Sequence, residues 1–292
     1  MWLSGFADEA GAGIEEQVDA TRALGWSAID LRKVDGTLFH ELPLDRCRAI
    51  AATLGDAGIR VASLGSGIAG AGSSIDDDPR LALDLTRRCI ERASLFRVNK
   101  IRVMSWPPPK GRSTIRWEDP SRHERIRRLK EICRLLLDSG LQPLHENCYN
   151  FGGQSHEHSL RLLESIPGLR LVFDTANPVW MEDLTMPEPF PRQSAWTFWT
   201  NVREHVDQLH IKDARWDPLS PKLIPCLPGE GEGDVMAILA DARRRGFHGP
   251  VSIEPHLGGA NPDLRRERYL AAGRRLEALL AELDRSPLPD AE

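Results

Sequence analysis

The sequence predicts an α/β protein, a single-domain (β/α)8 TIM barrel. Short apolar runs alternate with longer amphipathic ones eight times along the chain. Several amphipathic runs end in glycine. The length of 292 residues accommodates the ~250 residues such a barrel usually takes.

The strand candidates are WLSGF (2–6), SAIDLR (27–32), RVASLG (60–65), KIRVMS (100–105), LQPLHE (141–146), LRLVFD (169–174), VDQLHI (206–211) and PVSIEP (250–255). Helical periodicity fills the intervals, as in IEEQVDATRALG, RHERIRRLKEICRLLLDSG and VMAILADARRRG. Gly25, Gly58, Gly140 and Gly246 stand where a left-handed residue would end a helix before the next strand. An open doubly wound sheet is the competing architecture, but the first strand lacks the GxGxxG turn that marks it. GSGIAGAGSS (65–74) has spaced glycines without a GK[ST] ending, and reads as a flexible loop. The barrel is assigned to residues 1–284; RSPLPDAE (285–292) has too little apolar surface to pack and is expected to fray.

Composition narrows the class. An apolar fraction of 41% with 28% charged residues describes a soluble globular chain. No apolar run approaches the ~20 residues of a membrane span, and MWLSGFADEAG does not begin as a secretory signal. Five scattered cysteines form no CxxC pair, so no disulfide framework or zinc knuckle is expected, and a reducing cytoplasm is the expected location. The net charge of −5 disfavours a nucleic-acid partner.

In a barrel the chemistry is expected at the carboxyl ends of the strands. There the fifth to eighth strands end in Glu146, Asp174, His210 and Glu254, four metal-competent side chains in succession. Three carboxylates with one imidazole suit a single divalent ion, Mn2+ first, with Mg2+, Co2+ and Zn2+ as alternatives. That set exceeds a dication by one negative charge, and Lys212 and Arg215 are the nearest compensating cations. Strand alternation places Lys212 on the face of His210, while Arg215 lies beyond the strand, where it could reach substrate.

The ordered motifs ALGWSAIDLR, VASLGSGI, LHEN, FDTAN, HIKDA, PGEGEGD and SIEPHL span nearly the whole chain. Together they resemble the sugar-phosphate isomerase/epimerase family of xylose-isomerase-like TIM barrels, in a branch near keto-sugar and ketoglycoside epimerases. The resemblance implies that Glu146, Asp174, His210 and Glu254 are metal ligands, and that Glu146 and Glu254 also act as acid and base. Relatives often carry a substrate-binding histidine where this chain has Asn177, which can bind a hydroxyl but cannot carry a proton.

Further substrate contacts are expected from His256, two residues after Glu254, and from Trp106 and Trp180 as walls of a sugar pocket, with Trp216 beside them. His145 is expected to pack in the helix layer, His156 and His158 to be solvated, and Asp234 to cap a helix. WPPPKGRST (106–114) reads as a stiff rim or partial lid.

The expected partner is a small sugar, with no membrane and no nucleic acid; a homo-oligomer is compatible with the sequence. The expected reaction is metal-dependent isomerisation or epimerisation of a keto-sugar through an ene-diolate. Competing readings are an inosose-type dehydratase, a DNA repair endonuclease and a non-catalytic sugar-binding barrel.

Overall fold

The structure, a computed structural model, describes residues 1–217, 219, 222–257, 261 and 264–285. All eight expected strands form: β1 (Trp2–Gly5), β2 (Ala28–Leu31), β3 (Arg60–Leu64), β4 (Lys100–Val103), β5 (Gln142–Glu146), β6 (Arg170–Asp174), β7 (Val206–Ile211) and β8 (Pro250–Ile253). They make one parallel sheet in the order β1-β8-β7-β6-β5-β4-β3-β2, so the two ends of the sheet are β1 and β2. At that seam Ser4 Oγ on β1 donates to Asp30 Oδ2 on β2 at 2.7 Å. The result is a nearly closed barrel in a single domain.

Helices α1 (Ile14–Ala23), α2 (Leu44–Asp56), α3 (Pro79–Phe96), α4 (Arg122–Asp138), α5 (His156–Ser165), α6 (Ala195–Val202), α7 (Val235–Arg244) and α8 (Arg265–Arg285) alternate with the strands. Gly25, Gly58, Gly140 and Gly246 all adopt positive φ, between 69° and 76°, as their place after a helix predicted. After α3 the same left-handed step is taken by Arg97, which is why that helix end carries no glycine signal. Helix α8 runs through Arg285, the first residue of the expected tail; residues 286–292 lie outside the described residues.

The barrel interior is not uniformly apolar. Asp30 is fully buried and accepts from Ser4, from Ser63 Oγ at 2.6 Å and from Gln208 Nε2 at 2.6 Å. A buried carboxylate with three donors is tolerable where an unpaired one is not. The 65–74 segment, read as a flexible loop, is packed over residues 65–70 and exposed at residues 71 and 72. Ile68 and Ala69 belong to the core, and their carbonyls accept from Met104 N and Trp106 N.

Candidate metal centre

Glu146 and Asp174 end β5 and β6; His210 is the penultimate residue of β7; Glu254 follows β8 directly. Parallel register aligns Asp174 with His210, and His210 with Ser252. The Glu254 amide continues the ladder by donating to Ile211 O at 3.1 Å. The four side chains are buried, and each offers one ligand atom within 4.8 Å of the others. Four adjacent strands thus bring together residues 108 positions apart, from Glu146 to Glu254.

The charges around this cluster are closely paired. His210 Nδ1 lies 3.2 Å from Glu146 Oε1 and 3.7 Å from Glu254 Oε2. Arg102 Nη1 donates to Glu146 Oε2 at 3.0 Å. Lys212 Nζ sits 3.0 Å from Asp174 Oδ2 and 3.3 Å from Glu254 Oε2. Burial works to raise the Glu146 carboxyl, but Arg102 and then His210 hold it at about 2. Burial also raises Asp174, and there Lys212 does not reverse the effect. Glu254 is held well below its ordinary range because Lys212, His256 and Arg32 together outweigh its burial. Burial would lower Lys212, yet Asp174 and Glu254 raise it, so its ammonium stays charged.

The loops that hold these residues account for two sequence motifs. Asp213, next to Lys212, collects four backbone N–H groups, those of Ala214, Gly229, Gly231 and Gly233, each at 2.9 Å. A Cβ on Gly231 would approach Ala214 O to 2.3 Å, so PGEGEGD is a backbone wrap around the HIKD carboxylate. On the other side Asn147 of LHEN bridges β5 and β6. Its Oδ1 accepts from Asp174 N at 2.7 Å and its Nδ2 donates to Asp174 O at 2.9 Å. Asp174 Oδ1 accepts from the amides of Ala176 and Asn177, both at 2.9 Å, leaving Oδ2 to the cluster.

The remaining site expectations fall in different places. Lys212 joins the cluster on the face of His210. Arg215 is exposed on an antiparallel ribbon of residues 213–216 and 223–226, opposite Ile224. Asn177 is buried, its Nδ2 donating to Asn147 O at 2.8 Å. His256 is half exposed, with Nε2 3.5 Å from both Glu9 Oε1 and Glu254 Oε1, and has positive φ. Trp106 is buried in the core cluster, and the carbonyl of Trp180 accepts from Tyr149 Oη and Arg192 Nη1. The rim loop that begins at Trp106 is tied down by buried Arg125, which donates to the carbonyls of Ser105, Trp106 and Pro107.

Two expectations are corrected. His158 is not solvated: it is buried against Trp117 and Phe151, and desolvation lowers it to about 4. Its neighbour His156 is partly exposed beside Glu157. Asp234 does not cap α7 with its side chain; it accepts from Trp196 N at 3.0 Å instead. His145 is buried as expected, with Nε2 3.0 Å from Ser105 Oγ.

Sequence reading missed Arg32 and Arg102. Arg32 Nη1 reaches Glu254 Oε1 at 2.5 Å, and its other nitrogens bind Asp8 at 2.9 and 3.2 Å and Glu9 at 3.3 Å. Arg32, Asp8, Glu9 and His256 line a cavity of about 430 Å3 beside Glu254, within the ~300–1,000 Å3 common for small-molecule sites. The available signal was Arg102 itself, an arginine inside a strand pattern where alternation turns alternate residues inward.

The donor set fits a divalent ion. Asp174 Oδ2 and Glu254 Oε2 are buried without a hydrogen-bond partner and meet the Lys212 ammonium as ion pairs. Oxygen atoms so placed, with one imidazole nitrogen, are what a hard or borderline dication takes.

Fold and site together define a TIM barrel with a buried acidic and histidine centre at the carboxyl ends of its strands. The family model "Xylose isomerase-like TIM barrel" matches residues 18–277, and the chain belongs to that family. No curated protein matches the sequence. Among solved structures it is similar to the probable 3-DHS dehydratase AsbF of Bacillus anthracis, with 18% identity, TM-score 0.70, and 95% and 99% of the two chains covered. It is also similar to a xylose isomerase-like TIM barrel protein of Mycobacterium smegmatis in complex with magnesium, with 19% identity, TM-score 0.67, and 96% and 98% covered. A third is the 3-keto-D-glucoside 4-epimerase YcjR of E. coli, with 16% identity, TM-score 0.64, and 96% and 100% covered. At these identities the likeness concerns the fold. Among the described residues no helix is long and apolar enough to cross a membrane.

Proposed function

We propose that the protein is a divalent-metal-dependent sugar isomerase or epimerase acting on a keto-sugar or a keto-sugar derivative. The observation that carries this reading is the buried cluster of Glu146, Asp174, His210 and Glu254 with ligand atoms within 4.8 Å. All four would hold the ion. When bound, the ion would supply Lewis-acid stabilisation of negative charge developing beside a carbonyl.

The protein's own residues do the proton work. One of Glu146 and Glu254 takes the proton from the carbon next to the ketone, giving an ene-diolate. The other returns a proton to the opposite face. Arg102 and Lys212 keep both glutamates ionised at rest, so the returning carboxyl must first take a proton from solvent. His256, half exposed and 3.5 Å from Glu254 Oε1, is the side chain placed to pass it. The charged cavity beside Glu254 would hold the hydroxyl-bearing remainder of the sugar, and Arg32 would be among its contacts.

A dehydratase on the same centre is the second reading, favoured by the likeness to a dehydratase fold. It shares the abstraction step and differs in expelling a β-hydroxyl. The test uses Glu146→Gln and Glu254→Gln in metal-loaded protein, with keto-sugars in deuterated water. Each variant is expected to lose inversion by ~10²–10⁴-fold, and at least one should still exchange the α-hydrogen. Inversion near the parent rate in both variants would remove the two-glutamate mechanism. Loss of water from the substrate in the parent would select the dehydratase.

A further inference from the structure

A second cluster of metal-ligand type lies across Glu254 from the first. Glu9, Glu254 and His256 offer ligand atoms within 4.8 Å of one another. Glu254 belongs to both clusters with different oxygens: Oε2 faces Lys212 and His210, whereas Oε1 faces Arg32 and His256. A bridging carboxylate between two such clusters is how a two-metal site is built. Here, however, a guanidinium already lies among the second set of oxygens.

We infer that Arg32 is the built-in second cation of the barrel mouth, closing the Glu9–Glu254–His256 cluster to a metal ion and positioning Glu254 so that Oε2 serves the other cluster. This rests on the metal-centre reading above for what Oε2 does. Three observations carry it. Arg32 engages both carboxylates of the second cluster through separate nitrogens, Glu254 Oε1 at 2.5 Å and Glu9 Oε1 at 3.3 Å, and binds Asp8 bidentately besides. Its guanidinium lies 4.5 Å from the centroid of Phe6, a face that attracts a cation. Its stem is confined by Gly65, where an added Cβ would stand 3.1 Å from Arg32 Cβ and 2.8 Å from the Phe6 ring.

Asp8, Glu9 and Glu254 set three carboxylates around Arg32, of which, among the described residues, only Glu254 has further cations beside it, Lys212 at 3.3 Å and Arg102 at 4.0 Å. Without the guanidinium, two carboxylates and an imidazole remain with enough charge to bind a dication. With it, the same oxygens are taken and a second cation would meet direct repulsion. Arg32 is therefore a positioning residue that makes this a one-ion mouth.

The experiment counts bound Mn2+ per chain by equilibrium dialysis and elemental analysis, at Mn2+ concentrations rising into the millimolar range. Parent and Arg32→Lys are expected to bind one ion. Arg32→Met should bind one more than the parent, with electron paramagnetic resonance showing coupling between two nearby Mn2+ ions. Arg32→Met with Glu9→Gln should return to the parent count. A parent that binds two ions, or an Arg32→Met protein that binds no more than the parent, overturns the inference. A parent that binds none overturns the metal-centre reading instead, while a gain of one ion in Arg32→Met would still uphold the role of Arg32. Should Arg32→Met not fold, anomalous diffraction from parent crystals soaked in Mn2+ decides: a single peak at His210 supports the inference, and a second peak at His256 overturns it.

Discussion

The two faces of Glu254 are served by different cations, and the difference is chemical. On one face Lys212 brings a compact ammonium to Asp174 and Glu254, and both contacted oxygens are left without a hydrogen bond. On the other face Arg32 spreads three nitrogens over Asp8, Glu9 and Glu254. A planar guanidinium can satisfy several carboxylates at once, whereas an ammonium on a flexible stem acts as a movable point charge. The lysine face is the one on which a metal ion can compete for oxygen atoms; the arginine face is already saturated.

The largest effect expected on that contrast comes from dismantling the lysine-side cluster. On the proposed ligand set, His210→Ala or Asp174→Ala removes a ligand outright, so metal affinity should fall by more than the ~10–100-fold typical of losing a group that only orients a ligand. Isothermal titration with Mn2+ measures it. Unchanged affinity in both variants would mean that the ion binds elsewhere, and the contrast between the two faces would lose its meaning.

Lys212→Met comes next and tests the point-charge half of the comparison. Removing the ammonium frees Asp174 Oδ2 and Glu254 Oε2 and takes away a repelling charge. Mn2+ should bind at least roughly tenfold tighter, a change of about 1.4 kcal/mol. Chelator-treated protein should at the same time become less stable to urea, because buried carboxylates then lack a counter-charge. Weaker binding in Lys212→Met would show that the lysine supports the ion instead of competing with it.

A third measurement probes a buried histidine that belongs to neither cluster. His158 is held near 4 chiefly by desolvation, while its unfolded value is 6.5. The folded pKa is depressed, so the unfolded chain binds the proton first. Stability is intact above pH 6.5 and falls as pH drops towards 4. A difference of about 2.5 units limits the loss to roughly 3 kcal/mol. Urea unfolding at pH 7 and pH 4.5 should show a smaller loss in His158→Gln than in the parent. Equal losses would place the acid sensitivity in other groups.

Much of the fold was legible because each strand carries its own apolar run and four helix ends carry a glycine. The four centre residues were legible because each ends a strand and the four strands are consecutive. Arg32 was not. It also ends a strand, but an arginine there reads as solvated, and its partners Asp8, Glu9 and Glu254 come from the first and last turns of the barrel. His158 misled for the reverse reason: it opens a polar helix start, while the aromatic rings that bury it come from Trp117 and Phe151. Asp234 looked like a cap because it precedes α7, yet its left-handed backbone turns the side chain to Trp196. In each case the deciding contact is distant in sequence.

The smallest expected effect belongs to Arg215, the other cation first considered as a counter-charge. Unlike Lys212 it lies exposed on the ribbon after β7, and its strand partner is the exposed Ile224. An exposed charge contributes little to a buried centre, because solvent screens it. Arg215→Ala should therefore leave Mn2+ affinity and stability near the parent values. If the ribbon touches the distal part of the sugar, the variant should raise KM several-fold and leave kcat almost unchanged, the pattern of lost uniform binding. Steady-state kinetics on the metal-loaded protein, with metal affinity measured in parallel, separates these quantities. A fall in kcat at constant KM would instead bring Arg215 to the reacting centre, and the ribbon would then have to close over Glu254 during turnover.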